Sequence, residues 1–137
     1  MKTQYYTASS LDGFIATEDD SLEWLFSLPD LNDSSYPGFI ADVGALAMGS
    51  ATYEWIVRNS DTVAAGEQNI WIVGGGDLAG QFHDAGLLDE LIIQIGSVTL
   101  GRGKQLFPRR VLSPTLRLVS VHQMGCGMVE LRYQVRR

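Results

Sequence analysis

Three consecutive glycines, Gly74, Gly75 and Gly76, follow the apolar stretch NIWIV and precede the segment DLAGQF. A strand that ends in glycines and leads into a helix leaves backbone N–H groups uncovered at the helix N-terminus. The helix dipole and these amides attract an anion, most often a phosphate. The alternative is a tight turn that needs glycine only for its backbone conformation. The cluster lacks the full spacing of a dinucleotide fingerprint and the lysine of a P-loop, so both interpretations stay open.

Asp77 follows the glycines directly and belongs to a residue type that often caps helix N-termini. In that position its carboxylate would compete with a bound phosphate for the same amides. The sequence predicts a helix from Asp77 to about Ala85, which Gly86 ends.

The remaining elements are predicted from hydrophobic periodicity and turn signals. Strands are predicted for QYYTASS, ALAM (45–48), NIWIVG, DELIIQIGSV, TLRLVSVHQM and MVELRYQV, the last two forming a hairpin around GCG. Helices are predicted for DSLEWLFSL, with Asp20 as its cap, for PGFIADVG and for ATYEWIVRN, whereas LDGFIATEDD and LGRGKQLFP are predicted loops. Strand–helix alternation followed by a hairpin predicts a three-layer α/β domain with a mostly parallel sheet and an antiparallel edge.

The composition narrows the class of protein. A chain of 137 residues, 45% hydrophobic and 19% charged, is typical of one globular domain. A formal charge of −6 argues against nucleic-acid binding, which relies on Lys and Arg. No apolar run is long enough to span a membrane, no export signal is present, and the single cysteine, Cys126, excludes an internal disulfide. We therefore expect a cytoplasmic protein that binds neither nucleic acid nor membrane.

Four segments occur in an order that resembles a known family. They are SLDGFIA (10–16), MGSATYE (48–54), IWIVGGGDLAGQF (70–82) and LLDELIIQIGSVTLGRGKQLF (87–107). Together they resemble the dihydrofolate reductase-like family, in the branch that contains the reductase domain of bifunctional riboflavin-biosynthesis deaminase-reductases. The resemblance implies the three-layer dihydrofolate reductase-like fold, a homodimer, and hydride transfer from NADPH to a flat pterin-, pyrimidine- or flavin-like heterocycle.

The resemblance also assigns residues to the cofactor and the substrate. Ala8, Ile15 and Ala16 would border the nicotinamide. Two further segments would bind the phosphates of the cofactor: Gly49, Ser50, Ala51 and Thr52 in one, and Gly74, Gly75, Gly76, Asp77, Leu78 and Ala79 in the other.

Asp12 is the candidate catalytic residue, in the loop that would lie over the nicotinamide. Its carboxylate would position the substrate or deliver a proton, with water as the alternative proton source. The structural alternative is an Asp-Gly turn without a chemical role. No metal site is expected, because His83 and His122 have no candidate ligands nearby in the sequence.

Two features depart from the family pattern. Ser50 stands where family members often carry Arg or Lys beside the 2′-phosphate, so NADH is a possible cofactor. Only RNSDTVAAGEQ separates the predicted helix 51–58 from the next strand. We therefore predict a single domain over 1–137 that lacks an edge strand pair between about residues 58 and 69, unless a segment is missing from the sequence. Residues 45–48 and 70–73 then become parallel neighbours. Both departures favour the alternative function, a non-catalytic nucleotide-binding or dimerisation module.

Three groups of side chains near the predicted loops have two interpretations each, either ligand contact or an ordinary role in the surface, a helix cap or the core. They are the acidic residues Asp19, Asp20 and Glu23, the aromatic pair Trp24 and Phe26, and the basic pair Arg102 and Lys104.

Overall fold

The computed structural model describes residues 2–26, 28, 35–48 and 69–136. The strands are β1 (Thr3–Ser9), β2 (Phe14–Ala16), β3 (Val43–Met48), β4 (Asn69–Val73), β5 (Glu90–Gly96), β6 (Lys104–Gln105), β7 (Leu116–Met124) and β8 (Met128–Val135). The helices are α1 (Glu23–Phe26), α2 (Tyr36–Ala41) and α3 (Gly76–Asp84). None of the helices in these ranges is long and apolar enough to cross a membrane.

Six strands form one sheet in the order β3-β4-β1-β5-β8-β7. The pairs β3–β4, β4–β1 and β1–β5 are parallel, whereas β5–β8 and β8–β7 are antiparallel. The predicted fold class is therefore confirmed, including the terminal hairpin. The predicted adjacency of 45–48 and 70–73 is also confirmed, since Met48 lies opposite Val73 in a parallel pair. The predicted crossover helix 51–58 lies outside the described residues.

The two faces of the sheet carry different helices, as strand alternation requires. Tyr5 is fully buried against Ile72 and Ala79, on the face that α3 covers. The next residue, Tyr6, points to the other face, where its ring stacks on Phe39 of α2 with centroids 4.1 Å apart. The helices on opposite faces make the domain a three-layer structure.

The structure corrects several predicted element boundaries. β3 begins at Val43, so the end of PGFIADVG is strand rather than helix. Both predicted loops contain a short strand, because β2 and β6 pair antiparallel in a separate two-stranded ribbon. Asp20 does not cap α1: its backbone lies in a turn with φ +62°, and the Ser21 hydroxyl accepts the Glu23 N–H at 3.3 Å. A hydroxyl two residues before the helix replaces the predicted carboxylate.

The parallel strands bring several chain segments to one edge of the sheet. After β1 the chain leads through β2, α1 and α2 to β3 on one side of β1, whereas after β4 it leads through α3 to β5 on the other side. The connections that leave β1 and β4 therefore run in opposite directions along the sheet. In open α/β sheets, ligands bind beyond the carboxyl ends of the strands at such a reversal. Here that place lies between Ser9 and Gly74.

Candidate functional site

The glycine turn at the end of β4 has the backbone conformation that glycine alone adopts easily. Gly74 and Gly75 have φ values of +68° and +86°, in the left-handed region that L side chains rarely adopt. A Cβ atom on Gly75 would contact only the Cβ of Leu78, at 3.6 Å, among the described residues. Among the described residues, nothing else occupies the space above Gly75, so a ligand could reach its backbone.

Gly76 requires glycine for a different reason. A Cβ atom at this position would collide with the carbonyl oxygen of Gln105 and lie 2.5 Å from that of Leu106. The Tyr5 hydroxyl helps hold this segment in place by donating a 2.7 Å hydrogen bond to the Leu106 carbonyl. Burial raises the pKa of Tyr5, which keeps the hydroxyl protonated as a donor. Gly76 thus serves the packing of α3 against the segment after β6.

The predicted capping role of Asp77 is wrong. The N-cap of α3 is Gly75, and no side chain of the described residues caps the helix. The Asp77 carboxylate instead accepts hydrogen bonds from Gln81 at 2.9 Å and from Arg109 at 3.1 Å. These two bonds lower the pKa of Asp77. Since the carboxylate is held by side chains, it does not occupy the amides at the helix N-terminus.

Arg109 is a residue of this region that sequence reasoning missed. Its guanidinium lies across Gly80, where a Cβ would approach the Cζ atom to 2.6 Å, and it binds Asp77 and Asp84. The two carboxylates raise the pKa of Arg109, with Asp84 contributing most. Because Arg109 is shared between Asp77 and Asp84, it offsets the charge of Asp77 only in part. The sequence signal for this contact is the spacing of Asp77, Gly80 and Asp84, because residues at i, i+3 and i+7 share one helix face.

The helix N-terminus is therefore suited to bind an anion. The first hydrogen bond of α3 runs from the Ala79 N–H to the Gly75 carbonyl at 3.2 Å, so the N–H groups of the preceding turn need other partners. The positive end of the helix dipole lies at the same place. Open space above Gly75 and uncapped amides together match the requirements of a phosphate group.

Asp12 links two loops at this edge of the sheet. Its carboxylate accepts the N–H groups of Leu100 at 3.1 Å and Gly101 at 2.8 Å, and the hydroxyl of Ser10 at 2.5 Å. These hydrogen bonds, that of Ser10 first, lower the pKa of Asp12. An ionised carboxylate that is engaged in this way is a poor proton donor. The contacts favour the interpretation of Asp12 as a turn residue that also tethers the loop after β5.

We expect the substitution Asp12→Ala to release this tether. The amide hydrogens of Leu100 and Gly101 should exchange with solvent faster than in wild type, whereas those of the core strands should not change. Because the folded-state pKa lies below the unfolded value of about 3.9, the tether is complete above that pH. It is lost as the pH falls through the lowered pKa.

Hydrogen exchange measured by NMR checks this prediction, with Asp19→Ala as the matched control. The Asp19 carboxylate also accepts a hydroxyl, that of Thr17, but does not bind the loop after β5. Unchanged exchange at Leu100 and Gly101 in the Asp12 variant would contradict the tether.

The residues predicted to border the nicotinamide lie at the same edge. Ala8 is near the carboxyl end of β1, three residues beyond Tyr5, which pairs with Ile72 of β4. Gly75 lies three residues beyond Ile72, so Ala8 and the glycine turn belong to one end of two neighbouring strands. Ile15 and Ala16 lie on β2, which pairs with β6. The backbone of β2 passes so close to Gly103 that a Cβ there would collide with the Ala16 carbonyl oxygen.

A buried polar cluster lies level with Ala8 on the α2 face of the sheet and was not predicted. Gln94, opposite Ala8 on β5, donates to the Tyr6 hydroxyl at 2.7 Å and to the Glu130 carboxylate at 3.0 Å. Ser35 also donates to Glu130, which is only 7% exposed. The polar residue Glu130, between apolar residues in MVELRYQV, was its sequence signal.

The remaining predicted residues fall into three groups. Gly49, Ser50, Ala51 and Thr52 lie outside the described residues. The side chains of Glu18 and Arg102 lie 3.9 Å apart and those of Asp20 and Lys104 lie 4.0 Å apart, all on exposed parts of the β2–β6 region. Phe26 is 70% exposed, whereas Trp24 packs near Gly96 on the sheet, with its Cζ3 atom 3.3 Å from where a Cβ would lie.

Comparisons with known proteins agree with this architecture. Two Bacillus subtilis (strain 168) proteins described as uncharacterized match almost the whole chain. YwjB is 30% identical over 169 aligned positions that cover 96% of this chain and 97% of YwjB. YyaP is 22% identical over 92% of this chain and 90% of its own.

Solved structures match the fold. A crystal structure from Shewanella sp. PV-4, described as a candidate riboflavin biosynthesis protein, has a TM-score of 0.81 at 21% identity, with both chains fully covered. Acinetobacter baumannii RibD has a TM-score of 0.73 at 15% identity; the match covers 99% of this chain and 58% of RibD. The Thermotoga maritima diaminohydroxyphosphoribosylaminopyrimidine deaminase/5-amino-6-(5-phosphoribosylamino)uracil reductase has a TM-score of 0.68 at 12% identity, covering 98% and 56% of the two chains.

The strand order, the two helix layers and the glycine turn define a protein of the dihydrofolate reductase-like fold class. A family model for the RibD C-terminal domain matches residues 62–130, half of the chain. The chain belongs to the RibD C-terminal domain family. The predicted resemblance is thereby confirmed.

Proposed function

We propose that this chain is an NADPH-dependent reductase that transfers hydride to a pterin-, pyrimidine- or flavin-like heterocycle. The observation that carries the proposal is the open turn at Gly75, which leads into an uncapped helix N-terminus at the carboxyl edge of the sheet. Membership of the RibD C-terminal domain family supports it, because a Thermotoga maritima protein of similar fold is named as a uracil-derivative reductase.

The described residues fit such a cofactor. The amides of Gly75, Gly76 and Asp77 would hold the pyrophosphate, since no side-chain cap from the described residues occupies them. Ala8 on β1, with Ile15 and Ala16 on β2, would border the nicotinamide with small or apolar side chains that exclude water. The family resemblance also assigns Gly49, Ser50, Ala51 and Thr52, which follow β3 in the sequence, to the phosphates of the cofactor. NADPH supplies the hydride when bound, and the protein supplies its orientation and a dry site.

The proton in this reaction would come from water rather than from Asp12. The Asp12 carboxylate is engaged by the backbone of Leu100 and Gly101, and its pKa is lowered. We propose that Asp12 acts as a positioning residue that holds the loop after β5 near the nicotinamide.

The experiment that tests the function is a search for turnover with purified protein. The absorbance of reduced nicotinamide is followed with NADPH and, in turn, a pterin, a pyrimidine, a flavin and a quinone. Saturable oxidation that requires one of these acceptors supports the reductase. Cofactor-dependent thermal stabilisation without turnover would favour the alternative, a non-catalytic nucleotide-binding or dimerisation module. If millimolar NADPH produces no thermal stabilisation and no turnover is detected, the proposal is overturned.

One observation favours the alternative function. The alignment with YwjB runs over 169 positions, 32 more than the 137 residues of this chain, so YwjB contains insertions relative to it. We predict that these insertions fall in the connection between about residues 58 and 69, where a strand pair would help bind the adenosine. Weaker adenosine binding would then reduce cofactor affinity and with it turnover.

We predict that the protein discriminates only modestly between NADPH and NADH. Ser50 can donate a hydrogen bond to the 2′-phosphate but cannot neutralise it, and a charge-assisted contact contributes about 1.5–3 kcal/mol. Loss of this charge-assisted contact corresponds to roughly one to two orders of magnitude in affinity for NADPH. Fluorescence titration with both cofactors checks the prediction. A preference for NADPH above about a thousandfold would mean that another basic residue, such as Arg58, binds the phosphate.

We also propose that the chain forms a homodimer. The outer strand β7 exposes Leu118 (50%), Val119 (56%) and Val121 (60%), so association through this edge would remove apolar surface from water. Light scattering after size exclusion gives the molar mass, and a monomer at all concentrations would contradict the proposal.

A further inference from the structure

The buried polar cluster of Tyr6, Ser35, Gln94 and Glu130 lies beside the residue proposed to border the nicotinamide. Gln94 is the Cα partner of Ala8 across the parallel β1–β5 pair, and Glu130 is the Cα partner of Gln94 across the β5–β8 pair. Since neighbouring strands lie about 4.8 Å apart, Gln94 stands about 5 Å and Glu130 about 10 Å from Ala8 along this row. A flat heterocycle placed against a nicotinamide at Ala8 would therefore lie within reach of both side chains.

The cluster has two free acceptors, whereas the N–H groups of Gln94 and the hydroxyl of Ser35 are already engaged. The Gln94 side chain donates to the Tyr6 hydroxyl at 2.7 Å and to Glu130 Oε1 at 3.0 Å, and Ser35 donates to the same Glu130 oxygen. Gln94 Oε1 and Glu130 Oε2 accept no hydrogen bond from the described residues. Neither atom is among the buried side-chain atoms of the described residues that lack a hydrogen-bond partner, so both retain contact with solvent.

Glu130 binds no cation in the described part of the chain. Arg132, two residues further along β8, pairs with Glu90 at 3.2 Å instead. A carboxylate that is only 7% exposed is normally paired or fully hydrogen-bonded, because burial weakens its hydration. An N–H group of a ligand would supply the missing bond at Glu130 Oε2, and such a bond is strengthened by the charge of the acceptor.

An apolar wall stands one pleat beyond the two free oxygens. Gly96 follows Gln94 by two residues on β5 and shares its face of the sheet. A Cβ atom on Gly96 would lie 2.6 Å from Leu28 Cδ1 and 3.3 Å from Trp24 Cζ3. Glycine at this position thus admits two apolar side chains against the sheet. A ligand here would meet apolar carbon on one side and hydrogen-bond acceptors at one edge.

We propose that Gln94 and Glu130 recognise the substrate, and that this substrate carries an amino group next to a ring N–H, as a pterin or an aminopyrimidine does. Its two donors would bind Glu130 Oε2 and Gln94 Oε1. A flavin or a lumazine instead presents a ring N–H between two carbonyl groups, so a carbonyl oxygen would face an acceptor. This role rests on the proposed function, which places the nicotinamide at Ala8.

The first experiment compares dimethylpterin with dimethyllumazine, in which a carbonyl oxygen replaces the amino group of the pterin. The full chain is titrated against the fluorescence of each probe in the absence of NADPH. We expect the pterin to bind with a Kd below about 1 mM and the lumazine at least about tenfold more weakly, because the lumazine loses the bond to a carboxylate. Equal binding, a preference for the lumazine, or no binding of the pterin at millimolar concentration would overturn the proposal.

The substitution Glu130→Gln is expected to change the preference between the two probes. Its amide can keep the oxygen toward Ser35 and Gln94 and place the NH₂ group where Oε2 lies in wild type. That donor matches the carbonyl of the lumazine, so the preference for the pterin should fall at least about tenfold. If the cluster only holds α2 on the sheet, the variant will change the melting temperature but keep the wild-type preference, and the proposal is then overturned.

Gln94→Met removes the other free acceptor and provides the test if Glu130→Gln does not fold. The preference for the pterin should fall in this variant too, because one of its two donors loses its acceptor. Glu90→Gln is the matched control, since Glu90 is a buried carboxylate on the same face that binds Lys2 and Arg132 instead. It should keep the wild-type preference. A loss of preference in Glu90→Gln equal to that in the cluster variants would contradict the assignment.

The recognition pair and the proposed function fail separately, because the probes are titrated without NADPH. Wild type that gains stability from NADPH but shows no preference for the pterin would overturn the recognition pair alone. A preference for the pterin that depends on Glu130, without any effect of NADPH, would overturn the reductase and support Gln94 and Glu130 as a binding site for an amino-bearing heterocycle.

Discussion

Replacing Gly75 with valine is expected to abolish stabilisation by NADPH while the protein remains folded. Gly75 has a φ of +86°, and a β-branched residue in that region costs on the order of 1–3 kcal/mol. The side chain would extend into the open space above the turn, where the described residues offer only the Leu78 Cβ at 3.6 Å. A pyrophosphate that needs the same space could then no longer reach the amides of α3.

The measurement is thermal melting of wild type and variant with and without NADPH. Wild type should gain stability with the cofactor, since a ligand that binds only the native state stabilises it by mass action. The variant should melt a few degrees lower and show no gain. Gly86→Val is the matched control, because Gly86 has a φ of +73° and open space at the other end of α3. It should lose stability but keep the NADPH effect. A normal gain in Gly75→Val would mean that the glycines form only a turn.

Gly76→Ala is expected to destabilise the protein strongly, by about 3 kcal/mol in the free energy of unfolding. The added methyl group would collide with the Gln105 carbonyl oxygen and lie 2.5 Å from that of Leu106. Both obstacles are backbone atoms, and the Tyr5 hydroxyl holds the second one with a 2.7 Å hydrogen bond. The contact can therefore be relieved only by moving α3 or the segment after β6. Urea denaturation with a linear extrapolation measures the change.

Gly38→Ala provides the control of opposite sign. Gly38 also lies in a helix, but a Cβ there would meet no atom within 4 Å. Alanine should stabilise the protein by up to about 1 kcal/mol, because glycine loses more backbone entropy in a helix. Equal effects of the two substitutions would show that helix propensity, rather than the backbone of residues 105 and 106, decides the role of Gly76.

Much of the fold could be predicted because the strands carry their own hydrophobic pattern. The apolar runs at 69–73 and 90–96 predicted β4 and β5, and the alternation in MVELRYQV predicted the second strand of the hairpin. Short elements were less predictable. β2 and β6 have three and two residues, too few for a periodic signal, and they form only because tertiary contacts bring them together.

The sequence by itself determined that a glycine turn leads into α3 and that β3 and β4 are parallel neighbours, because local conformation and connection length follow from residue types. Only the tertiary structure decided what each glycine does. Gly75 faces open space, whereas Gly76 faces the backbone of a segment 29 residues later in the chain. Likewise, the Asp77 carboxylate binds Arg109 rather than the helix N-terminus, because a guanidinium from a distant loop lies across Gly80. Such contacts depend on long-range packing, which no local pattern records.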